Sequence, residues 1–141
     1  MLPWSMLPAG ASPGSMRAAM STNLRALRGA TTVDADTPEQ VTESMHELLG
    51  AMIERNGLDK DDIVSIIFTA TGDLVSMFPA AAARSMGLGD VPLLCARELD
   101  VVGSTPRCLR VLMHVTTDRA RAEMSHVYLR GARHLRDDLP G

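Results

Sequence analysis

Leu109-Arg110-Val111-Leu112-Met113-His114-Val115-Thr116 is apolar at both parities apart from Arg110 and His114. Side chains on a strand alternate between its two faces, so a strand built from this stretch is greasy on both sides. Ile63-Val64-Ser65-Ile66-Ile67-Phe68-Thr69-Ala70-Thr71 has the same character. Strands of this kind belong in the middle of a sheet that is covered on both faces.

Working outward, Leu24 to Val33 ends in β-branched residues and predicts a further strand. Arg25 and Arg28 differ in parity there and should point to opposite faces. The clearest helix follows. Thr37 suits the N-cap, Pro38 the first helical position, and Gln40 completes a T-x-x-Q capping pattern. Val41, Met45, Leu48, Leu49, Met52 and Ile53 then recur at helical spacing, and Gly57 is the natural stop. Glu39, Glu43, Glu47 and Glu54 form the solvated face.

Further on, Asp59 to Asp62 predicts a turn, Pro79 opens a short helical piece over 80–86 closed by Gly87-Leu88-Gly89, and Val91 to Cys95 predicts a short strand. Ala120 to Met124 fits one helical turn, and His126 through Leu135 predicts a last strand. The class is therefore α+β: a mixed five-stranded sheet with one long helix. One helix covers only one face of such a sheet. The other face needs a partner, and a second copy of the chain is the simplest one. An obligate homo-oligomer is expected.

At 141 residues and a net charge of −3, the chain is long enough for one domain with a real core, and it gives no reason to expect nucleic acid or an acidic membrane as partner. No apolar run reaches the roughly 18 residues of a membrane helix. Residues 1–23 are rich in Pro, Gly, Ala and Ser, lack the basic start and long apolar core of a secretory signal, and read as a disordered leader. Met16 and Met20 offer alternative starts. Residues 24–141 form the folded domain. Cys95 and Cys108 lack metal-ligand spacing, and no disulfide is expected between them in a cytoplasmic protein.

The chemistry points to two segments, Cys95-Ala96-Arg97-Glu98-Leu99-Asp100-Val101 and Arg107-Cys108-Leu109-Arg110. They set a glutamate and an arginine beside apolar runs, with a thiol close by. An unpaired buried charge is costly, so such charges are paired or reserved for a ligand. Nothing resembles a nucleophile–base pair. The pattern suits a site that holds and polarises an anion. Arg97, Arg107, Arg130 and Arg133 read as surface charge, and none of the four histidines is expected to be catalytic.

Arg28-Gly29-Ala30-Thr31-Thr32-Val33, Phe78-Pro79-Ala80, Val91-Pro92, Cys95 with Glu98 and Asp100-Val101, Cys108-Leu109-Arg110-Val111, His126-Val127-Tyr128-Leu129 and Leu135-Arg136 occur in an order that resembles the monofunctional, trimeric class of chorismate mutase. The resemblance runs from about Arg25 to Leu139. It implies a homotrimer whose sheets form a pseudo-α/β-barrel, with active sites between subunits. It implies conversion of chorismate to prephenate, the branch toward phenylalanine and tyrosine, with no cofactor, metal or covalent intermediate. By the same resemblance Arg110 meets the ether oxygen, Glu98 accepts from the ring hydroxyl, and Cys95 lies by that hydroxyl. Arg28 and Tyr128 hold the side-chain carboxylate. Phe78 and Arg84 come from the neighbouring subunit, and Leu135 and Arg136 from the closing C-terminal segment.

The sequence departs from that pattern at Ala81, where the family can carry a lysine, in a short 85–90 stretch, and in a chain that stops soon after Arg136. The alternatives are a trimeric imine/enamine deaminase-like enzyme, whose family does not match the order of Cys95, Glu98 and Arg110, and a non-catalytic trimer that binds a dicarboxylate.

Overall fold

The computed structural model describes residues 23–138, with side chains described through Leu135. The expected 1–23 leader, Asn23 apart, lies outside the described residues. In chain order the elements are β1 (Asn23–Thr32), α1 (Pro38–Arg55), β2 (Ile63–Ala70), α2 (Pro79–Ala83), β3 (Leu93–Arg97), β4 (Cys108–Thr117), β5 (Val127–Tyr128) and a 3-10 helix (Arg130–Asp138). The sheet order is β3-β2-β4-β1-β5. β4 runs antiparallel to both β1 and β2, and the two outer pairs are parallel. This is the mixed five-stranded sheet with one long helix that the sequence predicts.

α1 begins as expected: the Thr37 hydroxyl accepts from the Gln40 main-chain N–H at 3.2 Å. It ends before Gly57, which takes the left-handed φ of +59°. Its Val41, Met45, Leu48, Leu49 and Met52 are buried against Leu27 of β1, Phe68 of β2 and Val111 and Met113 of β4. Gly29 lets the helix come close, since a Cβ there would collide with the Met52 sulfur. Among the described residues, no helix covers the opposite sheet face. Leu94 on that face is 61 % exposed, and Ile67 and Leu112 are only partly covered.

Two expectations are corrected. The last strand stops at Tyr128, not Leu135. Arg130 takes a φ of +50°, and the Gly131 N–H turns to the Thr32 hydroxyl at 2.9 Å, so the chain leaves the ladder for a 3-10 helix. The 80–86 helix is likewise cut to α2, and a π turn carries Arg84–Leu88.

Arg130 and Arg107 are not idle surface charge. Arg130 pairs with both carboxylate oxygens of Glu47, at 3.2 and 3.3 Å, and lies 3.9 Å from Glu43 and from Asp34. Hydrogen bonds and charge from Glu47 hold its pKa above the usual arginine value. This pins the start of the C-terminal helix to α1. Arg107, at φ +45°, donates from Nε to the Val33 carbonyl at 2.9 Å.

Candidate active site on the open sheet face

Strand register decides which side chains meet. Thr69 faces Ala96 on one side and Arg110 on the other, Arg110 faces Ala30, and Ala30 faces Tyr128. A single row, Ala96–Thr69–Arg110–Ala30–Tyr128, therefore crosses all five strands. Its neighbours around Arg110 are small, so the guanidinium stands in a trough. The next row runs Leu94–Ile67–Leu112–Arg28. Arg110, Arg28 and Tyr128 thus share the face that no helix covers among the described residues.

Glu98 lies just past β3, where its main-chain N–H still donates to Ala70 O at 3.0 Å. The Thr69 hydroxyl donates to Glu98 Oε2 at 2.6 Å, and Arg110 Nε is 3.6 Å from the same oxygen. Sequence reasoning paired Glu98 with Arg110. It missed Thr69, whose role depends on a contact 29 residues away.

Cys95 faces Phe68 in the β2–β3 pair and packs on the core, so its thiol lies on the helix-covered side, away from Arg110. Its main chain is another matter. Ile66 N donates to Pro92 O, and Glu98 N donates to Ala70 O. A parallel ladder uses every second residue of a strand, so Leu94 and Ala96 face β2, while the Cys95 N–H and C=O point out from the free edge. The thiol beside Arg110 belongs to Cys108, which is buried. Burial pushes that thiol up, and the nearby Arg110 charge offsets only part of the rise, so it stays protonated.

Asp73 fastens the entry to β4. It accepts from the Arg107 main-chain N–H at 2.9 Å, and Thr71 accepts from Cys108 N at 2.9 Å. Burial pushes the Asp73 carboxyl up, but hydrogen bonds from Thr71 and Arg107 outweigh it and hold the pKa below the ordinary value. Asp36 is lowered as well, chiefly by the Val75 main-chain N–H. Those bonds shape the loop that leads to Phe78.

Phe78 and Arg84 do not converge on Arg110 within one chain. Phe78 is 74 % exposed at the start of α2, whose Ala80, Ala82 and Ala83 pack into the helix-covered core. Arg84 starts the π turn. His46 Nε2 of α1 lies 2.9 Å from Ala82 O and 2.7 Å from Ser85 Oγ. Nε2 must donate to the carbonyl, so this His–Ser contact braces the turn and is not a nucleophile–base pair. Leu135 is half-buried in the C-terminal 3-10 helix, and the side chain of Arg136 lies outside the described residues. Among the described residues no group of three or more His, Cys, Asp or Glu side chains is placed to hold a metal ion, and no helix is long and apolar enough to cross a membrane.

The fold defines a small α+β protein that presents two arginines, Arg110 and Arg28, on one face of its sheet. Residues 24–139 match the family model for chorismate mutase type I. The chain is 50 % identical over 117 residues to the chorismate mutase AroH of Thermus thermophilus, covering 82 % of this chain and 96 % of the relative. It is 42 % identical over 117 residues to the AroH enzyme of Bacillus subtilis, covering 82 % and 92 %. A solved chorismate mutase from Clostridium thermocellum superposes with a TM-score of 0.76 at 50 % identity, covering 77 % of this chain and 97 % of that one. The chain belongs to the type I, AroH-type chorismate mutases: it is an isomerase of aromatic amino-acid biosynthesis whose substrate is chorismate.

Proposed function

We propose that the rearrangement to prephenate takes place in the Arg110 trough, closed by a neighbouring copy in a cytoplasmic homotrimer of the pseudo-α/β-barrel type. The observation that carries this is the single row joining Thr69, Arg110, Ala30 and Tyr128, with Arg28 beside it on the same uncovered face. Chorismate is a dianion with an enolpyruvyl ether. In the transition state the C–O bond breaks ahead of C–C bond formation, and negative charge gathers on the ether oxygen. A fixed guanidinium at that oxygen stabilises the transition state more than the ground state. Arg110 supplies it. Glu98, held by Thr69, accepts from the ring hydroxyl and faces the cationic ring. Arg28 and Tyr128 hold the side-chain carboxylate.

Arg110 is half exposed in the single chain, its side chain 47 % accessible. Electrostatic stabilisation is strongest where water is excluded. A second chain laid on the open face excludes it, and brings Phe78 and Arg84 from its own α2 region. Leu135 and Arg136 close the site from the C-terminal segment.

Mixed assembly tests the shared site. Arg110→Ala and Arg84→Ala chains are each expected to be weak alone. Co-refolded in equal amounts as trimers, about one site in four joins an intact Arg110 to an intact Arg84 across a boundary. Loss of chorismate absorbance should then return to about a quarter of the wild-type rate. Recovery no greater than the sum of the two variants would rule out the shared site.

Cys95 serves through its outward main-chain N–H, which lies on the edge leading to Glu98. Cys95→Ala should therefore keep kcat and KM within about twofold of wild type, since a partly buried thiol packed on the core behaves as a small hydrophobe. A larger loss in kcat would assign the chemistry to the thiol itself.

A further inference from the structure

We propose that His126 is a positioning residue of the active site, its imidazole Nδ1 anchoring the main chain that carries Arg28. The inference rests on the reading that Arg28 holds a substrate carboxylate.

The β1–β5 ladder is only two residue pairs long, Gly29 with Val127 and Ala30 with Tyr128. Leu129 N donates to Ala30 O at 2.9 Å at its far end. A regular parallel ladder would bring the Ser125 carbonyl to the Arg28 N–H at the near end. That carbonyl is already taken. Asn56, buried at the end of α1, donates from Nδ2 to Ser125 O at 2.9 Å and to Met52 O at 2.8 Å, and accepts from Ser125 N at 2.8 Å. The Arg28 N–H turns instead to His126 Nδ1 at 3.0 Å.

The consequence is a chain of fixed parts. α1 fixes Asn56, Asn56 fixes Ser125, and the next residue supplies the acceptor that Arg28 needs. An unmet N–H at a strand end lets the strand shift. A sub-ångström shift in the Arg28 main chain is magnified at the end of its long side chain, where the guanidinium meets substrate.

The contact also sets the protonation state. Nδ1 accepts, so it carries no proton and the ring is neutral with hydrogen on Nε2. Burial, then the charge of Arg28, lowers the His126 pKa below its usual 6.5. Charged side chains are carried by β1 (Arg25, Arg28), the end of α1 (Glu54, Arg55) and the adjoining turn (Asp118, Arg119, Arg121, Glu123); among them, Arg28 alone acts on the ring. Asn56 and Ser125 are uncharged.

Steady-state kinetics on chorismate test this. His126→Leu removes the acceptor, with His126→Ala as a second such variant. His126→Asn places an amide oxygen close to where Nδ1 lies. The acceptor-less variants should raise KM about five- to tenfold with kcat within about twofold, the signature of lost binding rather than lost chemistry. His126→Asn should restore KM to within about twofold. In an Arg28→Ala background, His126→Leu should add less than about twofold, because the two residues act as one unit. Wild-type KM should rise as pH falls through the lowered pKa of His126, where Nδ1 gains a proton, and the Asn variant should lack that rise. Equal losses in both backgrounds, or no rescue by Asn, would overturn the positioning role in favour of plain stability. An unchanged KM in Arg28→Ala itself would overturn the Arg28 reading, and this inference with it.

Discussion

Replacing Arg110 by alanine will lower kcat for chorismate about 10²–10³-fold and leave the chain folded. The loss falls on kcat because, in the proposed site, the guanidinium meets charge that exists only as the ether bond breaks. The fold survives because the side chain is 47 % exposed and its carboxylate partner among the described residues, Glu98, is 3.6 Å away. Exposed ion pairs of that kind contribute only about 0–1 kcal/mol to stability. Glu98 also keeps its bond to Thr69 when Arg110 is gone. Chorismate absorbance gives the rate, and circular dichroism with a melting curve gives the fold. Arg110→Lys should recover little, since an ammonium lacks the planar fork and is more strongly hydrated. A near-normal kcat in the alanine variant, at unchanged melting temperature, would remove Arg110 from the chemistry.

One charged donor does not supply the whole rate. An acceleration of about 10⁶ requires about 8 kcal/mol, and a single preorganised donor typically gives roughly 3–4 kcal/mol. The rest must come from holding a flexible substrate in its compact reactive shape. Arg28, Tyr128 and the walls of the trough do that work in the proposed site. This is why anchoring of the Arg28 main chain bears on function.

How much of this was legible beforehand depends on the range of the forces involved. α1 was readable almost to the residue, because Thr37, Pro38 and Gly57 act on the main chain nearest to them. β2 and β4 were readable because two-faced apolar runs have one stable setting. Arg110 stood out by its isolation among apolar neighbours, while the role proposed for it came from the resemblance to the family. The side of the sheet taken by Cys95 was not legible. It follows from the pairing of Cys95 with Phe68, 27 residues earlier, and a shift of one residue would reverse it. The end of β5 was misread because Val127-Tyr128-Leu129 has strand composition while its termination depends on distant groups. A Cβ at residue 131 would lie 2.9 Å from the Thr32 hydroxyl, and the Gly131 N–H is drawn to that same oxygen. The contacts of His126 and Asn56 were not legible for the same reason: each is defined by a bond to another part of the chain.

Ile67→Asp is expected to abolish the assembly and with it most of the activity. Ile67 lies between Leu94 and Leu112 in the row beside the Arg110 trough. In one chain this apolar row is partly open to water, with Leu94 61 % exposed. Fully burying an aliphatic side chain contributes about 1.5–3 kcal/mol, so the row is a sizeable driving force for a second copy. A carboxylate at its centre reverses the sign. Removing an unpaired charge from water costs several kcal/mol, and a symmetric trimer incurs that cost at every boundary. Ile67 is two residues from Thr69 on the same face, so the substitution leaves Arg110, Glu98 and Arg28 in place chemically while taking away the neighbour that, in the proposed assembly, dries the trough. Native mass spectrometry or sedimentation should show a trimer for wild type and for the Ile67→Val control, and smaller species for Ile67→Asp. The rate on chorismate should fall more than about 10²-fold with the assembly. Leu94→Asp, at the strand edge where a carboxylate can reach solvent, should give a milder version of both effects. A fully active, trimeric Ile67→Asp enzyme would mean that the open face is not where the copies meet.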